Sequence, residues 1–187
     1  MPITVIIISC TFWLLEPSSR EWFAYNRNLI SDGQWWRLIS GHFLHTNSNH
    51  LWLNLTGLVL LWALNGDYYN IRSVWTLFIL CIGTSIGLFF YSDDLIWYVG
   101  LSGVLHGLFI IGAWQDIIHK IKSGWILFFG VWLKVIYEQI AGANEEVATL
   151  INANVAIDAH LMGTIIGTLI VVFILVKNNL PSFKTNQ

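Results

Sequence analysis

The chain has 187 residues, 56% of them hydrophobic and 11% charged, with a formal net charge of −2. Soluble domains carry roughly 25% charged residues, so this composition, with a mean hydropathy of +0.63, excludes an ordinary soluble domain and makes the lipid bilayer the first partner. No basic run or RNA-type motif is present, which argues against nucleic acid as a second partner.

A spanning helix takes about 20 mostly apolar residues, so the length holds five or six spans and a single domain, 1–187. The first apolar run is Ile3–Leu15. It is short for a full span, and without a charged n-region or a small-residue cleavage site it reads as a first helix, not a removed signal peptide. Residues 16–49 follow, mixing charges with Trp22, Phe23, Tyr25, Trp35, Trp36 and Phe43. Trp and Tyr concentrate at the membrane interface, so this segment is expected to be an interfacial loop on the outer leaflet. The remaining runs are His50–Leu64, Val74–Tyr91, Leu101–Ile118, Trp125–Ala141 and Val155–Val176, and residues 177–187 form a cytoplasmic tail. The fold class expected is an all-α membrane protein, a bundle of six transmembrane helices; a five-span version would lose only the first run.

Positive residues favour the cytoplasmic side. With the N-terminus inside, the inner set is Arg72, Lys120, Lys122, Lys177 and Lys184, and the outer set is Arg20, Arg27 and Arg37. Most acids, including Asp93, Asp94, Glu145, Glu146 and Asp158, fall outside. Both ends are therefore expected in the cytoplasm. Cys10 and Cys81 lie in apolar runs with no spacing partner, which gives neither a disulfide framework nor a metal motif.

Polar groups at membrane depth are costly and mark function. His50 and Asn54, at i and i+4, share one face at the head of the second run, where either could donate to a developing oxyanion; the alternative is an interfacial histidine with an Asn–backbone bond. A metal site from His42, His45 and His50 lacks any supporting motif. Gly100-Leu101-Ser102-Gly103 opens the fourth run, and a helix start offers unpaired N–H groups to an anion. Alone this motif is weak, and the hydrolase elbow it evokes needs a preceding strand. Lys134 and Glu138, again i and i+4, are either a self-neutralising structural pair or a possible substrate contact. In the sixth run His160, Gly163 and Gly167 lie on one face. Gly103 and Gly107 give the fourth run a matching face, and such small-residue stripes let membrane helices pack backbone to backbone. Together they would bring the His160 ring to Ser102.

Trp36-Arg37, His45, His50-x-x-x-Asn54, Gly100-Leu101-Ser102-Gly103 and Ala159-His160-x-x-Gly163-x-x-x-Gly167, in this order over residues 36 to 167, resemble the rhomboid intramembrane serine proteases. Gly100 to Gly107, and Lys134-Val135-Ile136-Tyr137-Glu138-Gln139, are similar to the rhombosortases, a compact bacterial branch associated with proteins bearing a glycine-glycine C-terminal sorting tail. The resemblance implies a protease of the bacterial inner membrane, N-in and C-in, opening to the periplasm. It implies catalysis by Ser102 and His160, an oxyanion hole from His50 and Asn54, and support from Gly100, Gly103, His106, Gly163 and Gly167. The substrate implied is a transmembrane protein with that sorting tail, and neither a metal nor an organic cofactor is required. His106 departs from the family, several of whose members carry Tyr there; it is either a competing base or a ring-stacking support. Asp158, two residues before His160, points away from it on a helix and reads as an N-cap, leaving a dyad. The competing functions are a non-proteolytic rhomboid-fold binder of membrane clients and a small transporter, the latter disfavoured because no repeated half is visible.

Overall fold

The computed structural model describes residues 1–179, so the tail beyond them, with Lys184, lies outside the described residues. Every apolar run becomes a helix: α1 (Pro2–Leu14), α5 (Ser48–Asn65), α6 (Arg72–Tyr91), α7 (Ser102–Ile118), α8 (Ser123–Ala141) and α10 (Ile157–Asn179). The shorter helices are α2 (Ser18–Phe23), α3 (Arg27–Ser31), α4 (Arg37–Ser40) and α9 (Glu145–Ile151). Local chemistry sets the ends. Asn47 caps α5, its side chain accepting from His50 N–H at 2.8 Å, and Asn144 caps α9 by accepting from Val147 N–H. Each satisfies an N–H that a helix start leaves unpaired. Gly142, at φ 85°, stops α8.

α7 is the axis of the bundle, packed by α5, α6, α8 and α10, and Val104, Ile110 and Ala113 are fully buried within it. The outer helices carry large apolar side chains on their free faces: Trp75, Phe78 and Phe90 on α6, Ile126, Phe129 and Leu133 on α8, Leu169 and Phe173 on α10. Such a continuous apolar surface belongs against lipid, and helices satisfy their own backbone there. Arg72–Tyr91, Ser123–Ala141 and Ile157–Asn178 are long and apolar enough to cross a membrane, while α1 and α7 are shorter apolar helices. α5 has the length but opens on Ser48, Asn49, His50 and Asn54, which lowers its apolarity. Length and composition thus support three of the six expected spans.

The segment 16–49 is more structured than an interfacial loop. It holds α2, α3 and α4, and its strand β1 (Tyr25–Asn26) pairs antiparallel with β2 (Trp97–Tyr98), Tyr25 opposite Tyr98. Tyr25, His42, Leu44 and His45 are buried, whereas Trp22, Trp35 and Trp36 stay exposed. Arg37 is buried too, its guanidinium donating to the Ala24 carbonyl at 2.7 Å and the Glu21 carbonyl at 2.9 Å. The segment therefore has an aromatic outer edge and a packed inner face that rests on the start of α7.

Candidate active site

The chain enters α7 through Gly100, whose φ of +135° is a conformation that only glycine takes without strain. A side chain there would also meet His50 Cε1 and Nε2 at 2.9 Å. Gly100 N–H donates to the Gly41 carbonyl at 3.2 Å, and the Tyr98 hydroxyl donates to the Gly100 carbonyl, so the turn is tied to both flanking segments. Ser102 is the first residue of α7, and Leu101 before it supplies no side-chain cap. The opening N–H groups of α7 thus have no intrahelical acceptor.

The glycine faces of α7 and α10 interlock. A Cβ on Gly103 would stand 2.6 Å from the Ala159 carbonyl oxygen, and one on Gly107 would stand 2.7 Å from that of Gly163. One on Gly167 would stand 2.6 Å from that of Gly107, and one on Gly163 would overlap the Gly103 carbonyl. This contact of backbone on backbone places Ser102 Oγ 2.9 Å from His160 Nε2. His160 is 5% exposed.

Helix α8 meets the far side of the His160 ring. Its Nδ1 lies 2.9 Å from Glu138 Oε2 and 3.2 Å from Lys134 Nζ, and Lys134 Nζ donates to Glu138 Oε2 at 2.8 Å. A carboxylate can only accept, so a bond to Glu138 puts the ring proton on Nδ1 and leaves the Nε2 lone pair facing Ser102. The His106 ring stacks on that of His160, centroids 4.2 Å apart and planes 19° from parallel. His106 Nδ1 donates to the Ser102 carbonyl at 2.7 Å. Its Nε2 is then an acceptor, and Lys134 Nζ stands 2.9 Å from it. Both nitrogens of His106 are engaged, so it is not free to act as the base for Ser102. The ligand atoms of His106, Glu138 and His160 fall within 4.8 Å of one another, the only such group among the described residues. The Lys134 ammonium already stands among them, so the cluster carries its own cation.

Ser102 and His50 line two cavities. One, of about 380 Å³, opens toward the loops between Trp97, Val99, Asn154 and Ala156. The other, of about 790 Å³, is a groove between α5 and α8, walled by Leu53, Phe109, Ile126 and Val131, and it reaches Asp116 at its far end. His50 Nδ1 accepts from Thr46 N–H at 3.3 Å, which leaves the Nε2 proton free to be donated toward the cavity. Asn54 lines the groove with Ser102, but one of its amide protons goes to the His50 carbonyl at 3.1 Å, leaving the other to donate.

His42, His45 and His50 do not converge on one point. His42 Nε2 donates to the Cys81 carbonyl at 2.9 Å, while the rings of His45 and His50 meet edge to face at 5.0 Å. The reading of Asp158 as an N-cap is corrected. It stands inside α10, and its carboxylate accepts from Ser92 Oγ at 2.6 Å and from Gln139 Nε2 at 3.5 Å, tying α6 and α8 to the start of α10. The contact between Glu138 and His160 had no signature in the sequence. The Lys134/Glu138 spacing was visible, but the helix face opposite it was not.

Fold and geometry together define an all-helical membrane protein with a serine–histidine pair at a helix start inside the bundle. The family model described as Rhomboid domain matches residues 32–177, and the chain belongs to the rhomboid family, whose members are intramembrane serine proteases. No curated protein matches it.

Proposed function

We propose that this chain is a rhomboid protease that cleaves a peptide bond at or near the membrane span of an anchored protein, with Ser102 as nucleophile and His160 as its base. The observation that carries the reading is the 2.9 Å approach of Ser102 Oγ to His160 Nε2, with Ser102 lining two cavities. Ser102 Oγ bonds to the scissile carbonyl carbon as its proton passes to His160 Nε2. The oxygen that gains charge takes hydrogen bonds from the free N–H at the start of α7 and from the His50 and Asn54 side chains. The C–N bond breaks as His160 returns the proton to the leaving amine. Water then repeats the sequence on the acyl-enzyme, giving its proton to His160 and releasing the acid and Ser102.

The shape of the groove supports a substrate class. The groove between α5 and α8 is walled mainly by apolar side chains, with Lys134 near Ser102 and Asp116 as its one acid. By the 1.5 Å helical rise, Asp116 lies about 21 Å along α7 from Ser102. This suits a sorting tail in which small residues at Ser102 precede a hydrophobic segment and a basic end, the pattern of rhombosortase substrates. On this reading all six long helices form one transmembrane domain, 1–187, with both termini in the cytoplasm of a bacterial cell and Ser102 opening to the periplasm. A fluorophosphonate probe tests the chemistry in the purified protein. Labelling lost in Ser102→Ala and His160→Ala is expected; equal labelling of Ser102→Ala would refute it and favour a client-binding role.

A further inference from the structure

We infer that Glu138 is a positioning residue that completes a Ser102–His160–Glu138 triad, and that Lys134 and His106 form the clamp that holds it in register. The inference rests on the protease reading above. For His160 to take the Ser102 proton, its own proton must sit on Nδ1, away from the serine. A buried imidazole with no partner at Nδ1 has no reason to prefer that tautomer. Glu138 Oε2, 2.9 Å from Nδ1, supplies the reason, because a carboxylate accepts and never donates.

Lys134 makes the arrangement hazardous on its own. Its ammonium, 3.2 Å from the same Nδ1, can only donate. A bond from it would push the proton to Nε2 and idle the serine. The remaining contacts remove that outcome. His106, with Nδ1 committed to the Ser102 carbonyl at 2.7 Å, turns an Nε2 lone pair to Lys134 at 2.9 Å. Glu138 takes the ammonium at 2.8 Å. Both acceptors are nearer to Lys134 than His160 is, so two of its three protons are taken, and the third finds no lone pair at Nδ1 while that nitrogen's own proton is held by Glu138. The stacked His106 ring fixes the plane of His160 while doing so. Glu138 and His160 are 9% and 5% exposed, so little water can stand in for a missing partner. A purely structural Lys134/Glu138 pair, by contrast, would need neither histidine.

The experiment measures the rate of fluorophosphonate labelling of Ser102 in full-length protein in detergent, with thermal unfolding alongside. Glu138→Gln is expected to slow labelling by roughly 10²–10⁴-fold, the scale of losing the orienting carboxylate in a serine triad, with the unfolding temperature unchanged. Glu138→Asp, which keeps the charge, is expected to regain about tenfold or more of that loss. Because Lys134 acts through Glu138, adding Lys134→Met to Glu138→Gln should cost less than about threefold further, a non-additive cycle. Labelling of Glu138→Gln within about threefold of wild type, or losses that multiply, would overturn the inference while leaving the protease reading intact. Equal labelling of Ser102→Ala would instead remove that reading itself. Where the Glu138 variants do not fold, nitrogen NMR of the histidine-labelled wild-type protein decides: a proton on His160 Nδ1 supports the triad, and one on Nε2 overturns it.

Discussion

Gly167→Ala tests how the helix spacing controls the chemistry. Gly167 lies seven residues beyond His160 on α10, so the substitution can affect Ser102 only by moving helices. Its new Cβ would stand 2.6 Å from the Gly107 carbonyl oxygen and 2.8 Å from Gly107 Cα, both rigid backbone, whereas ordinary contact begins at 3.4 Å. The helices must therefore part by about 0.8 Å locally, and a shift of that size carried to the site would stretch the 2.9 Å Ser102–His160 bond past hydrogen-bonding range. A misplacement of about 1 Å costs up to roughly 10²-fold in rate, and forcing a methyl group into a filled contact costs about 1–3 kcal/mol of stability. Gly130→Ala on α8 is the control, since nothing lies within 4 Å of its Cβ position; it is expected to be neutral or to gain up to about 1 kcal/mol from helix propensity. The assay is labelling rate and thermal unfolding of both variants in one detergent. If Gly167→Ala labels at the wild-type rate, or if the two variants behave alike, the spacing argument is wrong.

The other expectations concern the oxyanion, the groove and the outer segment. Asn54→Ala should keep measurable cleavage at roughly 10²–10³-fold below wild type, whereas total loss would show that Asn54 does more than donate one bond. Asp116→Asn should raise KM for a reporter whose span ends in Lys and Arg and leave kcat unchanged; an equal rise with a neutral-ended reporter would dissociate Asp116 from charge recognition. His42 and His45, in the segment between α1 and α5, are held down by burial, to about 4 and about 3, from the usual 6.5. The unfolded chain takes up their protons first as pH drops, so their contribution is full above about pH 6.5 and is lost on acidification, on the order of 2 kcal/mol per histidine by about pH 5. Unfolding followed from pH 7 to pH 5 should show that slope, and His42→Asn should reduce it by about half; a flat wild-type profile would contradict the assignment.

Features that depend on short-range periodicity are legible in the sequence. The apolar runs became helices because a membrane helix is written as an unbroken apolar stretch, and the Gly103/Gly107 and Gly163/Gly167 faces were legible because residues four apart share a side of one helix. Their meeting followed from that, and with it the approach of Ser102 to His160. The strand within segment 16–49 is not legible in the sequence, since the partner of Tyr25 is Tyr98, far away in the chain, and pairing across such a distance leaves no local mark. The role of Asp158 is hidden for the same reason, its partners being Ser92, just past α6, and Gln139 on α8. Which way Glu138 faces depends on long-range packing. Helical spacing places Lys134 beside Glu138 but says nothing of how far α8 turns toward α10, and that rotation is set by the packing of α7 between them. It is this packing that brings a carboxylate to the back of His160 and leaves His106 as its stacking partner, so that a serine and a histidine found by pattern stand in an environment that pattern could not supply.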